Sequence, residues 1–256
     1  MDALQPYKLA LIIEYEGTRY CGSQIQVGMP TIQGDIERAL EKIAREKIRT
    51  VFAGRTDAGV HAKGQVVSFS TCSNLPSESL KNALNFYLRP DIAIKEAFKV
   101  DSDFNARKDA SSREYRYRIL NSPTPSPLQR KYAYFVPWVL NAEAMNLAAQ
   151  CLVGNNDFAS FTGPTGRRTV REVYKAEVSR SAEMFFFDIV ANSFLPKQVR
   201  YITGSLIRVG SGKLTAGDFQ GILRARCAGM AGPVAPPHGL YLMKVNYPDN
   251  KMSRVN

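Results

Sequence analysis

A carboxylate, a guanidinium and an imidazole crowd into one short segment, Gly54-Arg55-Thr56-Asp57-Ala58-Gly59-Val60-His61. A helical pattern precedes it and a clean strand pattern follows. Gly54 and Gly59 allow backbone angles closed to other residues, so the segment reads as a loop that can hold Asp57 in one pose. Thr-Asp-Ala-Gly is also an ordinary turn sequence, because aspartate bonds readily to its own backbone. Arg55, close by, and the well-specified strand that follows tilt the reading towards a presented acid, since rigid elements commonly aim reactive groups from such loops. His61 invites an acid–base role. A lone histidine at the mouth of a strand more often bonds to backbone and shapes the loop, and that is the role expected of it.

Two further stretches could carry chemistry. In Ser111-Ser112-Arg113-Glu114-Tyr115-Arg116-Tyr117-Arg118-Ile119-Leu120, period two puts Arg113, Tyr115, Tyr117 and Ile119 on one face and Glu114, Arg116 and Arg118 on the other. An aromatic face with basic margins suits an unstacked base near phosphates, although the motif alone favours two tyrosines packed in a half-buried sheet; Tyr117 is assigned to the core. At 197–209, Arg200, Gly204 and Ile207 fall at i, i+4 and i+7 beside Val199, Ile202 and Leu206. Arg200 therefore leaves a mostly apolar helical face where something packs closely on Gly204. A charge held there wants an acid, for which Asp57 is one candidate; an arginine that snorkels to water is the other reading.

Composition narrows the class. Lys and Arg number 34 against 23 acids, a net charge of +11, and the positives interleave with aromatics rather than forming a compact polybasic anchor. That favours nucleic acid over a membrane surface. No apolar run approaches the roughly 18 residues of a span. The opening residues 1–6 lack the basic start and apolar stretch of a signal peptide, so a cytoplasmic location is expected. Cys21, Cys72, Cys151 and Cys227 lie far apart, and His61 and His238 are the only histidines, so neither a disulfide framework nor a zinc site is expected. Val209-Gly210-Ser211-Gly212-Lys213-Leu214-Thr215 resembles a phosphate-binding loop but has Ile207 where the first glycine belongs and Leu214 where Ser or Thr should follow the lysine.

The elements that must position these residues follow from periodicity and caps. Strands are expected at 7–15, 63–71, 92–100, 113–120, 171–180, 184–191 and 239–247. Helices are expected at 31–46 with Thr31 as cap, at 77–88 with Ser77 as cap, at 142–152 after Asn141, at 197–209, and at 216–226 behind Thr215 with Asp218 three residues on. The three prolines of 121–130 make that segment a loop. The pattern is α+β: two similar halves, each an antiparallel sheet backed by helices, with a basic cleft between them. The split is placed near residue 107, giving an N-terminal domain 1–107 with the Asp57 loop and a C-terminal domain 108–256 with Tyr115 and Arg200.

Gly54–Ala62 with Gly64-Gln65-Val66 resembles the signature of the TruA family of tRNA pseudouridine synthases. The resemblance covers nearly the whole chain, through Leu9–Tyr15 with Glu16-Gly17, Thr31-Ile32-Gln33, Asn82–Asn85, Phe104 and Ala106-Arg107, Arg113–Tyr117, Asp157-Phe158 with Ser160-Phe161, Val199-Arg200 with Gly204, and Gly239–Leu242. It implies the pseudouridine synthase fold and isomerisation of uridine in tRNA without cofactor or metal. It implies that Asp57 forms an adduct with the target uridine, that Tyr115 stacks on the base and assists proton removal from C5, and that Arg200 pairs with Asp57. Arg55 would fill the RNA stack where the base flips out, and Arg107 and Arg116 would contact RNA. Family members act on nucleotides thirty-eight to forty of the anticodon arm, as homodimers. The chain departs from the pattern at Ser23, where an aromatic is usual, at Asn105, where histidine is usual, and at Pro196-Lys197-Gln198. A non-catalytic RNA-binding chaperone is the rival reading.

Overall fold

The computed structural model describes residues 6–249 and 251–252; apart from Pro6, the opening stretch read for a secretion signal lies outside them. The chain divides into two compact units, one holding the residues up to Ser111 together with those from Leu242 onward, the other Ser112–Tyr241.

In the first unit the apolar run at 7–15 forms β1 (Tyr7–Tyr15). Helix α1 (Ile32–Ala44) starts at Thr31, whose hydroxyl accepts the Gly34 N–H at 3.2 Å. Ile32, Ile36 and Leu40 form its buried stripe, as their helical spacing requires. Then come β2 (Val51–Phe52), β3 (His61–Thr71), α2 (Ser77–Tyr87) and β4 (Ile92–Val100). The expected cap at Ser77 is not found. Ser77 is the first helical residue, Pro76 holds the cap position, and no side chain bonds there; a proline with φ already near −60° sets the helix entry by itself. Strand β1 pairs antiparallel with β3 on one side and β4 on the other, with register shifts near Ile13 in both ladders. Helix α2 lies on β4, with α1 against α2.

The second unit contains β5 (Ser112–Asn121), β6 (Tyr134–Val136), α3 (Ala142–Gln150), β7 (Gly154–Asp157), β8 (Val170–Ser181), β9 (Met184–Ala191), α4 (Gln198–Gly210) and α5 (Ala216–Ala225). Its strand order is β5-β9-β8-β7, antiparallel, with β6 adding a short parallel pairing to β5. Helix α3 packs on β8, and α4 packs on β5. Asn141 caps α3, and Thr215 and Asp218 close a reciprocal capping box at α5. The glycine-rich 209–215 segment runs from the last residues of α4 to the cap of α5, and in it the N–H groups of Lys213 and Leu214 donate to the Arg208 carbonyl at 2.9 and 3.2 Å. Those bonds satisfy carbonyls that a helix end leaves open.

The last strand, β10 (Leu240–Asn246), changes the division expected at 107. From Leu242 it joins the first unit, where the order is β4-β1-β3-β10. Within the described residues no helix is long and apolar enough to cross a membrane.

Candidate active site

Asp57 sits in the loop between β2 and β3, half-buried, with Arg55 and Ala58 exposed on either side of it. The backbone around it is held from many directions. The Ala53 N–H donates to the Val66 carbonyl at 2.9 Å. Gln65 then clasps Gly54 with both ends of its amide: Oε1 accepts the Gly54 N–H at 3.2 Å and Nε2 donates to the Gly54 carbonyl at 2.7 Å. Gln65 is fully buried in β3, so this amide has its polar needs met inside the protein.

Past Asp57 the chain turns back. The Val60 N–H donates to the Asp57 carbonyl at 3.2 Å, and the Gly59 N–H donates to the Tyr20 carbonyl at 3.3 Å. Gly59 has φ +77°, as its expected permissive role requires, whereas Gly54 does not take the left-handed region. His61 is buried, and its Nδ1 accepts the Gly17 N–H at 3.1 Å. That makes it an acceptor for a neighbouring loop, the role expected from the sequence. The nitrogen used must be unprotonated, which fits a loop-shaping imidazole.

The segment 20–23 lies against the same loop. Thr56 donates its N–H to Ser23 Oγ at 2.9 Å, accepts the Ser23 N–H at 3.1 Å, and shares a hydroxyl hydrogen bond with Tyr15 at 2.8 Å. Tyr15 ends β1, just past a register shift against β3. Such an irregularity re-aims a side chain. Burial pushes the Tyr15 phenol up to about 12, the hydrogen bond to Thr56 opposing the shift. Burial also raises the Tyr20 phenol, together with Asp35, whose carboxylate accepts its hydroxyl at 3.1 Å. Gly22 has φ +99°, and a Cβ there would stand 2.8 Å from the Thr56 carbonyl oxygen, so the two strands of chain meet as bare backbone.

Arg107 is the other expected RNA-contacting residue in this unit. It is exposed at the tip of a turn that Asn105 organises, with Oδ1 accepting the N–H groups of Arg107 and Lys108 at 3.0 and 3.1 Å. Asn105, one of the departures from the family pattern, thus serves an Asx turn. Ala106 beneath it is buried, its carbonyl accepting the Tyr247 hydroxyl at 2.6 Å.

The second unit holds Tyr115, Arg116 and Arg200. Tyr115 faces Ile189 across the β5–β9 ladder, is 8% exposed, and meets Phe194 edge-on with ring centroids 5.0 Å apart. Tyr117, two residues on, is fully buried, as assigned. Its hydroxyl donates to the Pro236 carbonyl at 2.6 Å, and burial raises its pKa well above the ordinary value. Arg116 points to the other face. It pairs with its cross-strand neighbour Asp188 at 2.7 and 2.9 Å and lies over the Phe186 ring. That bidentate pairing raises its pKa.

Arg200 projects from α4 and donates from Nε to the Ala235 carbonyl at 2.8 Å, while the Ala235 N–H returns a bond to the Arg200 carbonyl at 3.1 Å. The close packing expected on Gly204 is present: a Cβ there would collide with the Pro233 carbonyl oxygen. Ser205 donates to the Ala231 carbonyl one turn along. At the helix entry, Lys197 adopts a left-handed conformation with φ +59°, and Gln198 Oε1 accepts the Leu195 N–H at 2.8 Å. The chain's own Pro196-Lys197-Gln198 thus builds the turn that starts α4. Among the described residues no group of three or more His, Cys, Asp or Glu is placed to hold a metal.

Sequence reasoning did not assign Ser23, Tyr15 or Thr56 to the site. Gln65 carried a signal, being an amide inside an otherwise apolar strand pattern. Ser23 carried none beyond its departure from the family's usual aromatic.

The profile described as tRNA pseudouridine synthase matches residues 11–107 and 148–248. A tRNA pseudouridine synthase A from Geotalea daltonii is 42% identical over 241 residues, covering 93% of this chain and 99% of its own. The protein of the same name from Geobacillus kaustophilus is 40% identical over 245 residues, covering 94% of this chain and 95% of its own. That from Neisseria gonorrhoeae is 40% identical over 251 residues, covering 97% and 95%. Similarity of this depth, end to end and through the block that carries Asp57, leaves one conclusion: the chain belongs to the tRNA pseudouridine synthase family.

Proposed function

We propose that the protein isomerises uridine to pseudouridine at nucleotides thirty-eight to forty of the tRNA anticodon arm, with Asp57 as the nucleophile. Isomerisation of tRNA uridine follows from the family; the position and the roles of individual residues are this proposal. The observation that supports it is the loop itself. Its backbone is fixed on both sides by Gln65, Ser23 and Tyr20 contacts and the Thr56 hydroxyl is held by Tyr15, while Asp57 and Arg55 are left partly or fully open to solvent. A rigid support under an accessible acid is what a nucleophile requires.

In this reading the uridine flips out of the stack and Arg55 takes its place. Asp57 bonds to the ribose C1′ as the bond from N1 to C1′ breaks, the uracil turns, and C5 bonds to C1′ and displaces the carboxylate. C5 then loses its proton and N1 gains one, so the product is an isomer of the substrate. Tyr115 stacks on the extruded base, and Arg200 pairs with the Asp57 carboxylate. Arg107 and Arg116 contact the RNA. The enzyme is proposed to act in the cytoplasm as a homodimer.

The test uses tRNA tritiated at C5 of uridine. Wild type is expected to release the label and Asp57→Ala to release none while still binding tRNA. Equal release from both would remove Asp57 from the chemistry. No release from wild type would instead favour a non-catalytic RNA-binding protein, and free uracil would indicate glycosidic cleavage.

A further inference from the structure

The peptide that delivers the chain into Asp57 is held at every polar group that Thr56 possesses. Its N–H donates to Ser23 Oγ at 2.9 Å, its carbonyl accepts the Ser23 N–H at 3.1 Å, and its hydroxyl shares a bond with Tyr15 at 2.8 Å. The first two bonds fix the peptide planes on both sides of the Thr56 Cα. Those planes set φ and ψ of Thr56, and hence where the Asp57 Cα lies and which way its side chain leaves. Ser23 makes both bonds, one with its hydroxyl and one with its backbone. It is 1% exposed, and Thr56 is 7% exposed.

We propose that Ser23 is a positioning residue for the reaction, its hydroxyl fixing the peptide that aims the Asp57 carboxylate. The inference rests on Asp57 being the nucleophile, as proposed above. Ser23 is too deeply buried to touch a tRNA, and the bond that its hydroxyl accepts leads to Thr56. The backbone bond from Ser23 survives any side-chain replacement, so the hydroxyl can be removed while the 20–23 segment stays joined to the loop. Without it the Thr56 N–H loses its acceptor in a place closed to water and has reason to rotate away. A displacement of about 1 Å in a reacting group lowers a rate by up to about 100-fold. Substrate affinity, which comes from surfaces far larger than this one bond, is left alone.

The experiment compares Ser23→Ala and Ser23→Cys with wild type in C5 tritium release, at a temperature where circular dichroism shows each variant folded. Cysteine fills the site with a somewhat larger atom but is only a weak acceptor, so it decides the matter if the alanine variant does not fold. Tyr7→Phe serves as the comparison for a lost phenolic bond elsewhere in the unit, its hydroxyl donating to the Ser73 carbonyl at 2.6 Å; it is expected to turn over like wild type. The expected result for the folded Ser23 variant is a kcat lower by about tenfold or more with KM for tRNA unchanged. A smaller fall in kcat, or a loss carried by KM, overturns the inference. Asp57→Ala run in parallel separates the two claims. If it is inactive and Ser23→Ala turns over normally, only the Ser23 role is lost; if Asp57→Ala is active, the reading of Asp57 falls and the Ser23 role with it.

Discussion

Arg200 shows why a guanidinium cannot be exchanged for an ammonium here. Its Nε is engaged by the Ala235 carbonyl at 2.8 Å, which ties the plane of the group to the 231–236 segment. A lysine carries a compact ammonium on a flexible stem, with no planar fork that one bond could hold in a fixed orientation. Arg200→Lys is therefore expected to keep the fold and the affinity for tRNA while lowering kcat on the order of tenfold or more. Single-turnover kinetics beside a melting curve check it. An unchanged rate would leave Arg200 a packing role against the 231–236 segment. Residues of this kind were legible in the sequence where a local rule singled them out. Period two marked Tyr117 for the core, and a strand mouth marked His61 for a backbone partner. Ser23 was not legible, because the bond that gives it meaning reaches a residue 33 positions away and no periodicity connects the two.

At the scale of elements, α4 is the support for Arg200, and its fit depends on a surface with no side chain at 204. The Pro233 carbonyl occupies the space that a Cβ would take. Gly204→Ala is expected to push the 231–236 segment away from the helix, costing about 1–3 kcal/mol as overpacking does. Activity should fall as well, since the Ala235 bond to Arg200 lies in the displaced stretch. Gly221 in α5 is the contrast, because nothing lies within 4 Å of a Cβ built there. Gly221→Ala should be stabilising by about 0.5–1 kcal/mol through helix propensity. Urea unfolding of the pair separates close packing from propensity; a stabilised Gly204→Ala would contradict the packing account, and a destabilised Gly221→Ala the propensity account. The long elements were readable because they carry both a period and a cap, as at Thr31, Asn141 and Thr215. β2, β6 and β7, two to four residues long, carry too little of either. Ser77 misled because its chemistry suits a cap, while Pro76 takes that position by geometry alone.

For the whole molecule, the return of β10 to the first unit was invisible in composition, since the last strand looks like any other and its neighbours are set by long-range pairing. The net charge of +11 was visible at once, and it leads to a quantitative expectation. A protein that neutralises phosphates releases their counterions, so log affinity for tRNA should fall linearly with log salt, by about 0.7–0.9 for each phosphate contact. Arg107 is exposed on a turn stiffened by Asn105. Arg107→Ala is expected to weaken binding and to lower the salt slope by about one contact's worth. Asp57→Ala should leave the slope as it is, because the role proposed for the acid is at the ribose and not at the phosphates. Filter binding across a salt series measures both slopes. If Arg107→Ala keeps the wild-type slope, the arginine makes no phosphate contact; if the wild-type slope is flat, the excess positive charge has no part in holding tRNA.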